Sequence, residues 1–157
     1  MYSYILDKLP YKSSFRFVDS IALLDENGIT GNYTLKKDAF FYEDHFPGNP
    51  VTPGVIITEI MAQIGLVALG LYIVLNDPEA VIAETKDDSW MPLLTSTEVS
   101  FFKSVLPGEM VTVISKKEYF RFNKLKCYIE MLDNSGDLIA RGIFAGIIRK
   151  VNIKRDL

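Results

Sequence analysis

Polar and apolar residues recur along the chain with two different periods, and the change of period divides it. Lys124 to Leu132 reads Lys-Leu-Lys-Cys-Tyr-Ile-Glu-Met-Leu, with Leu125, Cys127, Ile129 and Met131 on one side. Alternation over that length predicts a half-buried strand. Strand-like stretches over 93–105, 110–122 and 138–148 predict three more. Phe15 to Leu24 and Ile29 to Leu35 predict a hairpin joined at Asp25-Glu26-Asn27-Gly28, a turn whose glycine is able to take positive φ. Leu106-Pro107-Gly108-Glu109 and Asp133-Asn134-Ser135-Gly136 supply further turns. Residues 2–9 have the spacing of a short amphipathic helix, stopped by Pro10.

From Val55 to Leu75 the alternation disappears and nearly every residue is apolar, until Asn76-Asp77-Pro78 ends the run. This predicts a helix that is apolar almost all round and so needs cover on most sides. Ahead of it Pro47, Pro50 and Pro53 keep the chain in a loop, because each lacks an amide proton and pushes the residue before it out of the α region. Residues 79–90 are polar and read as a loop, and the basic tail Arg149 to Leu157 reads as frayed. The sum is an α+β fold: an antiparallel, curved sheet of about six strands wrapped around a long central helix. A second copy of the sheet would cover the helix's far side, which predicts a dimer.

Composition narrows this picture. A length of 157 residues fits one domain, 1–157, with its core over about 5–150. Apolar residues at 48% and charged residues at 24% exclude disorder. A net charge of −3 without a basic run argues against a nucleic-acid partner. Met1 to Asp7 has neither the basic nor the apolar region of a signal peptide, so a cytoplasmic location is expected. The apolar run is long enough to span a membrane, but Glu59 and Gln63 within it would be costly in lipid, which favours a core helix over a membrane span. Cys127, the single cysteine, lies on the apolar side of its strand and reads as a small buried hydrophobe. No metal and no cofactor are expected.

The candidate chemistry lies where loop meets helix. His45 is the chain's one histidine. Glu59 is a carboxylate in an apolar helix, where it needs either a raised pKa or a dedicated partner. Gln63 follows at i+4 on the same face, either to orient that carboxylate or to satisfy a nearby backbone group. The helix start at Gly54 and Val55 offers unpaired amides and partial positive charge, suited to an oxygen that becomes negative during a reaction. A base, an acid and an oxyanion donor are what proton abstraction beside a thioester carbonyl requires.

The stretch His45-Phe-Pro-Gly-Asn-Pro-Val-Thr-Pro-Gly-Val-Ile-Ile-Thr-Glu59-Ile-Met-Ala-Gln63 closely resembles the signature of the β-hydroxyacyl-acyl carrier protein dehydratases of fatty acid synthesis. Leu9-Pro10, Phe17-Val18-Asp19, Phe40-Phe41 and Val105 to Glu109 extend the likeness over about residues 5 to 150. The resemblance implies the hot-dog fold. It implies that His45 abstracts the C2 proton of a (3R)-hydroxyacyl thioester and Glu59 protonates the departing 3-hydroxyl. It also implies that the Gly54 amide, with Val55 beside it, binds the thioester carbonyl, and that Gln63 supports Glu59. It further implies an acyl carrier protein or coenzyme A thioester as substrate, and a homodimer or higher oligomer with the site at the subunit interface. Glutamate rather than aspartate at 59 favours dehydration without isomerisation.

Three departures stand out: Asp44 where the family has glycine, Ser100-Phe101-Phe102-Lys103 keeping one of several basic residues, and the long 79–90 loop. With those basic residues gone, Lys116, Lys117, Arg121, Lys124 and Lys126 are the alternative cations for an acidic carrier. A non-catalytic acyl-binding protein or heteromer subunit, and a hot-dog thioesterase, are the competing readings.

Overall fold

The computed structural model describes residues 2–77 and 88–152. Among them, six antiparallel strands form one sheet: β1 (Ser20–Leu24), β2 (Gly28–Thr34), β3 (Asp88–Phe101), β4 (Met110–Arg121), β5 (Lys124–Leu132) and β6 (Leu138–Asn152), in the order β1-β2-β4-β5-β6-β3. Leu125, Cys127, Ile129 and Met131 of β5 are fully buried, as their alternation requires. They face a helix running from Gly54 to Leu75, α-helical over Gly54–Ala62 and Leu69–Leu75 and π-helical over Gln63–Ala68. The wide turn packs tightly on the sheet: a Cβ on Gly65 would lie 2.5 Å from Ile129 Cδ1. The Ser115 hydroxyl of β4 donates to the Gly65 carbonyl at 2.7 Å and ties that turn to the sheet. The helix is long and apolar enough to cross a membrane, but 78% of its most apolar stretch is buried inside the fold.

The structure corrects several sequence expectations. Strand β1 begins at Ser20, not Phe15. Ser13–Phe15 form one 3₁₀ turn, and the consecutive Phe17 and Val18 both enter the core, which an alternating strand cannot do. Gly28 does not take positive φ but belongs to β2. Its missing side chain leaves room for the Ser115 carbonyl, 2.4 Å from where a Cβ would stand, while the Asp25 carboxylate accepts the Asn27 and Gly28 amides. Asp88 to Trp90, expected as loop, pair with Lys150 to Asn152 at the ends of β3 and β6, and Arg149, expected with them as frayed tail, pairs with Met91. The rest of the expected 79–90 loop, and residues 153–157, lie outside the described residues.

The helix also has its cover within one chain. Residues 60–71 are all buried, with α1 (Ser3–Lys8) packed near its end and Phe17, Phe41 and Tyr42 in the same core. Burial of the helix therefore gives no reason for a dimer. Of the sheet's two edges, β1 and β3, the longer is β3, a 14-residue strand on which Met91, Leu93, Leu94 and Phe101 are each at least 43% exposed.

Candidate active site

The proline-rich loop holds His45 by hydrogen bonds. Buried Tyr42 anchors its start through a 2.5 Å bond between its hydroxyl and that of Thr52. The His45 N–H donates to Phe41 O, the Val51 N–H donates to His45 O, and Nδ1 of His45 lies 2.9 Å from Val51 O. A carbonyl can only accept, so Nδ1 carries the hydrogen and Nε2 of the neutral ring presents a lone pair. The Phe46 ring stacks on the imidazole at 4.2 Å, across a cis His45–Phe46 peptide.

At the helix start, Pro53 O accepts the first helical bonds, from Ile56 and Ile57. The Gly54 and Val55 amides lie ahead of them with no helical acceptor of their own. Gly54 is exposed, and a Cβ there would lie 3.4 Å from the Phe101 ring. Gly54, Val51 and Phe101 line one cleft of about 300 Å³.

Glu59 follows, half-buried, beside Gln63. Nε2 of Gln63 donates to Glu59 Oε1 at 2.9 Å and to Phe15 O at 2.8 Å, and Gln63 Oε1 accepts the Phe17 N–H at 2.8 Å. Both roles considered for Gln63 are therefore filled at once. Its amide polarity is fixed by three partners, and this makes Glu59 Oε1 an acceptor, so Oε2 is the oxygen that takes and gives a proton. Burial pushes the Glu59 pKa up, opposed by the Gln63 hydrogen bond. Glu59 lines a second cleft, of about 210 Å³, with Tyr11, Leu66, Leu93 and Ile147. Tyr11 was not legible as a site residue. It comes into this cleft because Phe15 and Phe17 are bound by Gln63, and its phenol is held protonated by burial and by the charge of Glu59.

Within one chain the expected residues thus fall into two places. Val51, which holds the His45 ring, and Gly54 line one cleft, and Glu59 lines the other, without His45 among its residues. Strand β3 lines both, through Phe101 and through Leu93.

Comparison with known proteins bears on this arrangement. A FabA-like domain model matches residues 9–137. Over 147 residues the chain is 33% identical to the 3-hydroxyacyl-[acyl-carrier-protein] dehydratase FabZ of Caldicellulosiruptor saccharolyticus, covering 88% of this chain and 91% of the relative. The chain belongs to the FabZ-type dehydratase family. FabZ of Acinetobacter baylyi is 30% identical over 125 residues, covering 76% of this chain and 78% of that one. Among solved structures, the dehydratase heterocomplex ApeI:P from Xenorhabdus doucetiae matches with a TM-score of 0.72 at 13% identity, covering 92% of this chain and 90% of that one. The FabZ-type chain has the expected hot-dog fold.

Proposed function

We propose that the protein dehydrates (3R)-hydroxyacyl thioesters, carried on acyl carrier protein, to trans-2-enoyl thioesters, acting in the cytoplasm as a homodimer. The observation that carries this reading is the pairing of two opposite preparations. The Val51 carbonyl leaves His45 with a free Nε2 lone pair, while burial raises the Glu59 pKa toward the proton-bearing form and Gln63 fixes which of its oxygens faces the cleft. One group is set to take a proton and the other to give one.

In the reaction, Nε2 removes the C2 proton and the electron pair moves onto the thioester oxygen, held at the Gly54 and Val55 amides. The enolate then collapses to the C2–C3 double bond and the C3–O bond breaks. The leaving oxygen takes the proton from Glu59 Oε2 and departs as water. Return of the proton from His45 to Glu59 resets the site.

Two copies joined along β3 assemble it. Antiparallel pairing centred on Thr97 sets Leu93 of one chain opposite the equivalent of Phe101 in the other, so the cleft holding Glu59 meets the partner's cleft at the helix start, whose lining includes the Val51 that holds the His45 ring. The exposed apolar residues of β3 are then covered, and its unpaired backbone edge is satisfied.

Absorbance of the conjugated enoyl product from a 3-hydroxyacyl thioester tests the reaction. No product, or free thiol in its place, overturns it, the latter in favour of a thioesterase. Mixing His45→Ala and Glu59→Gln homodimers tests the shared site. Statistical exchange makes half of the dimers mixed, each with one intact site, so activity returns to about a quarter of wild type. If it stays at the level of the separate variants, the site is not shared.

A further inference from the structure

The β4–β5 turn contains a residue that the fold itself does not favour. Phe122 and Asn123 have φ of 50° and 59°, the two-residue turn that matches hairpin twist and that Asn and Gly fill at least cost. A phenylalanine Cβ is crowded in that conformation, and the Phe122 residue is 100% exposed. Nothing inside the molecule repays it. Such local conflicts between residue and backbone concentrate where function is.

Cations gather around this ring. Arg121 and Lys124 pair across the turn, and Tyr119 pairs with Lys126 two rungs further on. Arg121 and Lys126 lie over the Tyr119 ring at 5.9 and 6.0 Å. Exposed Arg149 follows Ile148, whose N–H donates to Asn123 O at 2.8 Å. Lys126 pairs with Glu118 at 3.3 Å, whereas Arg121, Lys124 and Arg149 enter no ion pair found among the described residues. In a chain of net charge −3 this is a local excess of positive charge around an apolar point. Lys103, the cation beside the other cleft, is already tied to Asp133 and Asp137.

The patch lies close to the acid. Lys124 stands opposite Ile147 in the sheet, Asn123 is bonded to Ile148, and both isoleucines line the Glu59 cleft. We propose that the β4–β5 tip is the docking surface for an acidic carrier protein, with Phe122 seated between its carboxylates and the arginines and lysines around them. The proposal rests on the dehydratase reading and adds to it where the carrier sits. An anionic membrane is the other surface with matching chemistry. The tip's place beside the Glu59 cleft favours the carrier, whose acyl group has to enter that cleft.

The test compares one 3-hydroxyacyl group on the carrier protein and on N-acetylcysteamine, with wild type, Phe122→Asn and the double variant Arg121→Glu/Lys124→Glu. Expected are a KM for the carrier substrate raised about tenfold in both variants and unchanged kinetics on the small thioester. Asparagine suits the turn better than phenylalanine, so Phe122→Asn melts no lower than wild type and its loss is not unfolding. Added salt should raise the wild-type KM for the carrier and leave that of the charge-reversed variant nearly flat. Unchanged KM on the carrier, or an equal rise in KM on both substrates, overturns the proposal. So does a double variant that loses co-sedimentation with phosphatidylglycerol vesicles while its carrier KM holds, which would assign the tip to a membrane. Titration of the carrier against wild type and Phe122→Asn reads docking without turnover. If wild type binds the carrier, the variant does not, and neither thioester reacts, docking stands and the dehydratase reading falls.

Discussion

Gln63→Met replaces a fully buried amide with an apolar side chain of similar length, and everything it disturbs radiates from one point. The amide accepts from Phe17 N and donates to Phe15 O and to Glu59 Oε1. Without it a buried N–H is left unpaired, at about 1–3 kcal/mol, and two further bonds of about 0.5–1.5 kcal/mol each are lost. In a domain of this size each kcal/mol moves Tm by about 2–4 °C, so Tm should fall by ~5 °C or more. The substitution also removes the one influence that lowers the Glu59 pKa, while burial continues to raise it. The alkaline limb of the rate profile, where Glu59 loses its proton, should therefore move to higher pH, and kcat should fall because the carboxyl is no longer aimed. Melting followed by circular dichroism, and kcat/KM for enoyl formation across pH, read the two effects separately. A variant with unchanged Tm and an unmoved alkaline limb would refute the claim that one amide couples the N-terminal segment to the acid.

Other outcomes follow from single contacts. His45→Ala should lower kcat/KM by ~10²-fold or more with Tm retained, since the ring is on a loop and not in the core; stopped-flow or steady-state enoyl absorbance checks it. Glu59→Gln should lose a similar factor in rate yet gain stability at high pH. A carboxyl whose folded pKa is raised contributes stability below its unfolded value and loses it as pH rises through the folded one, so the variant should melt higher than wild type on the alkaline side of the folded value and not in acid. Ser115→Ala removes the bond to Gly65 O and should cost about 1–2 kcal/mol by urea unfolding. Leu93→Lys on the β3 edge should give monomers by sedimentation that keep their far-ultraviolet spectrum and lose activity.

The architecture was readable because period-two and all-apolar segments are signals of the chain itself: β5 and the central helix lie where their patterns put them. Phe15 to Phe17 misled because an apolar run looks alike whether it joins a sheet or is held by one side chain, and the Gln63 amide that takes its backbone stands 46 to 48 residues away. Gly28 misled for a related reason. A glycine in a turn sequence suggests positive φ, whereas here it makes space for a strand neighbour. Of the candidate site, the prolines and glycines between His45 and Glu59 marked the loop and helix start that the structure shows there. The tautomer of His45, the proton-exchanging oxygen of Glu59 and the arrival of Tyr11 were not legible, since each depends on a contact between separate segments.

The π-helical stretch from Gln63 to Ala68 has a consequence for how this helix tolerates changes in length. A wide turn takes up an extra residue without rotating what comes before it against what comes after. Loss of one residue there can be absorbed by returning to α-helical bonding, with Glu59 and the Leu69–Leu75 face both kept in phase. The same loss in Gly54–Ala62, between the helix start and the acid or just after it, rotates the two parts by about 100° and turns the carboxyl away from its amide. The core helix is therefore adjustable at its middle and rigid at its N-terminal end.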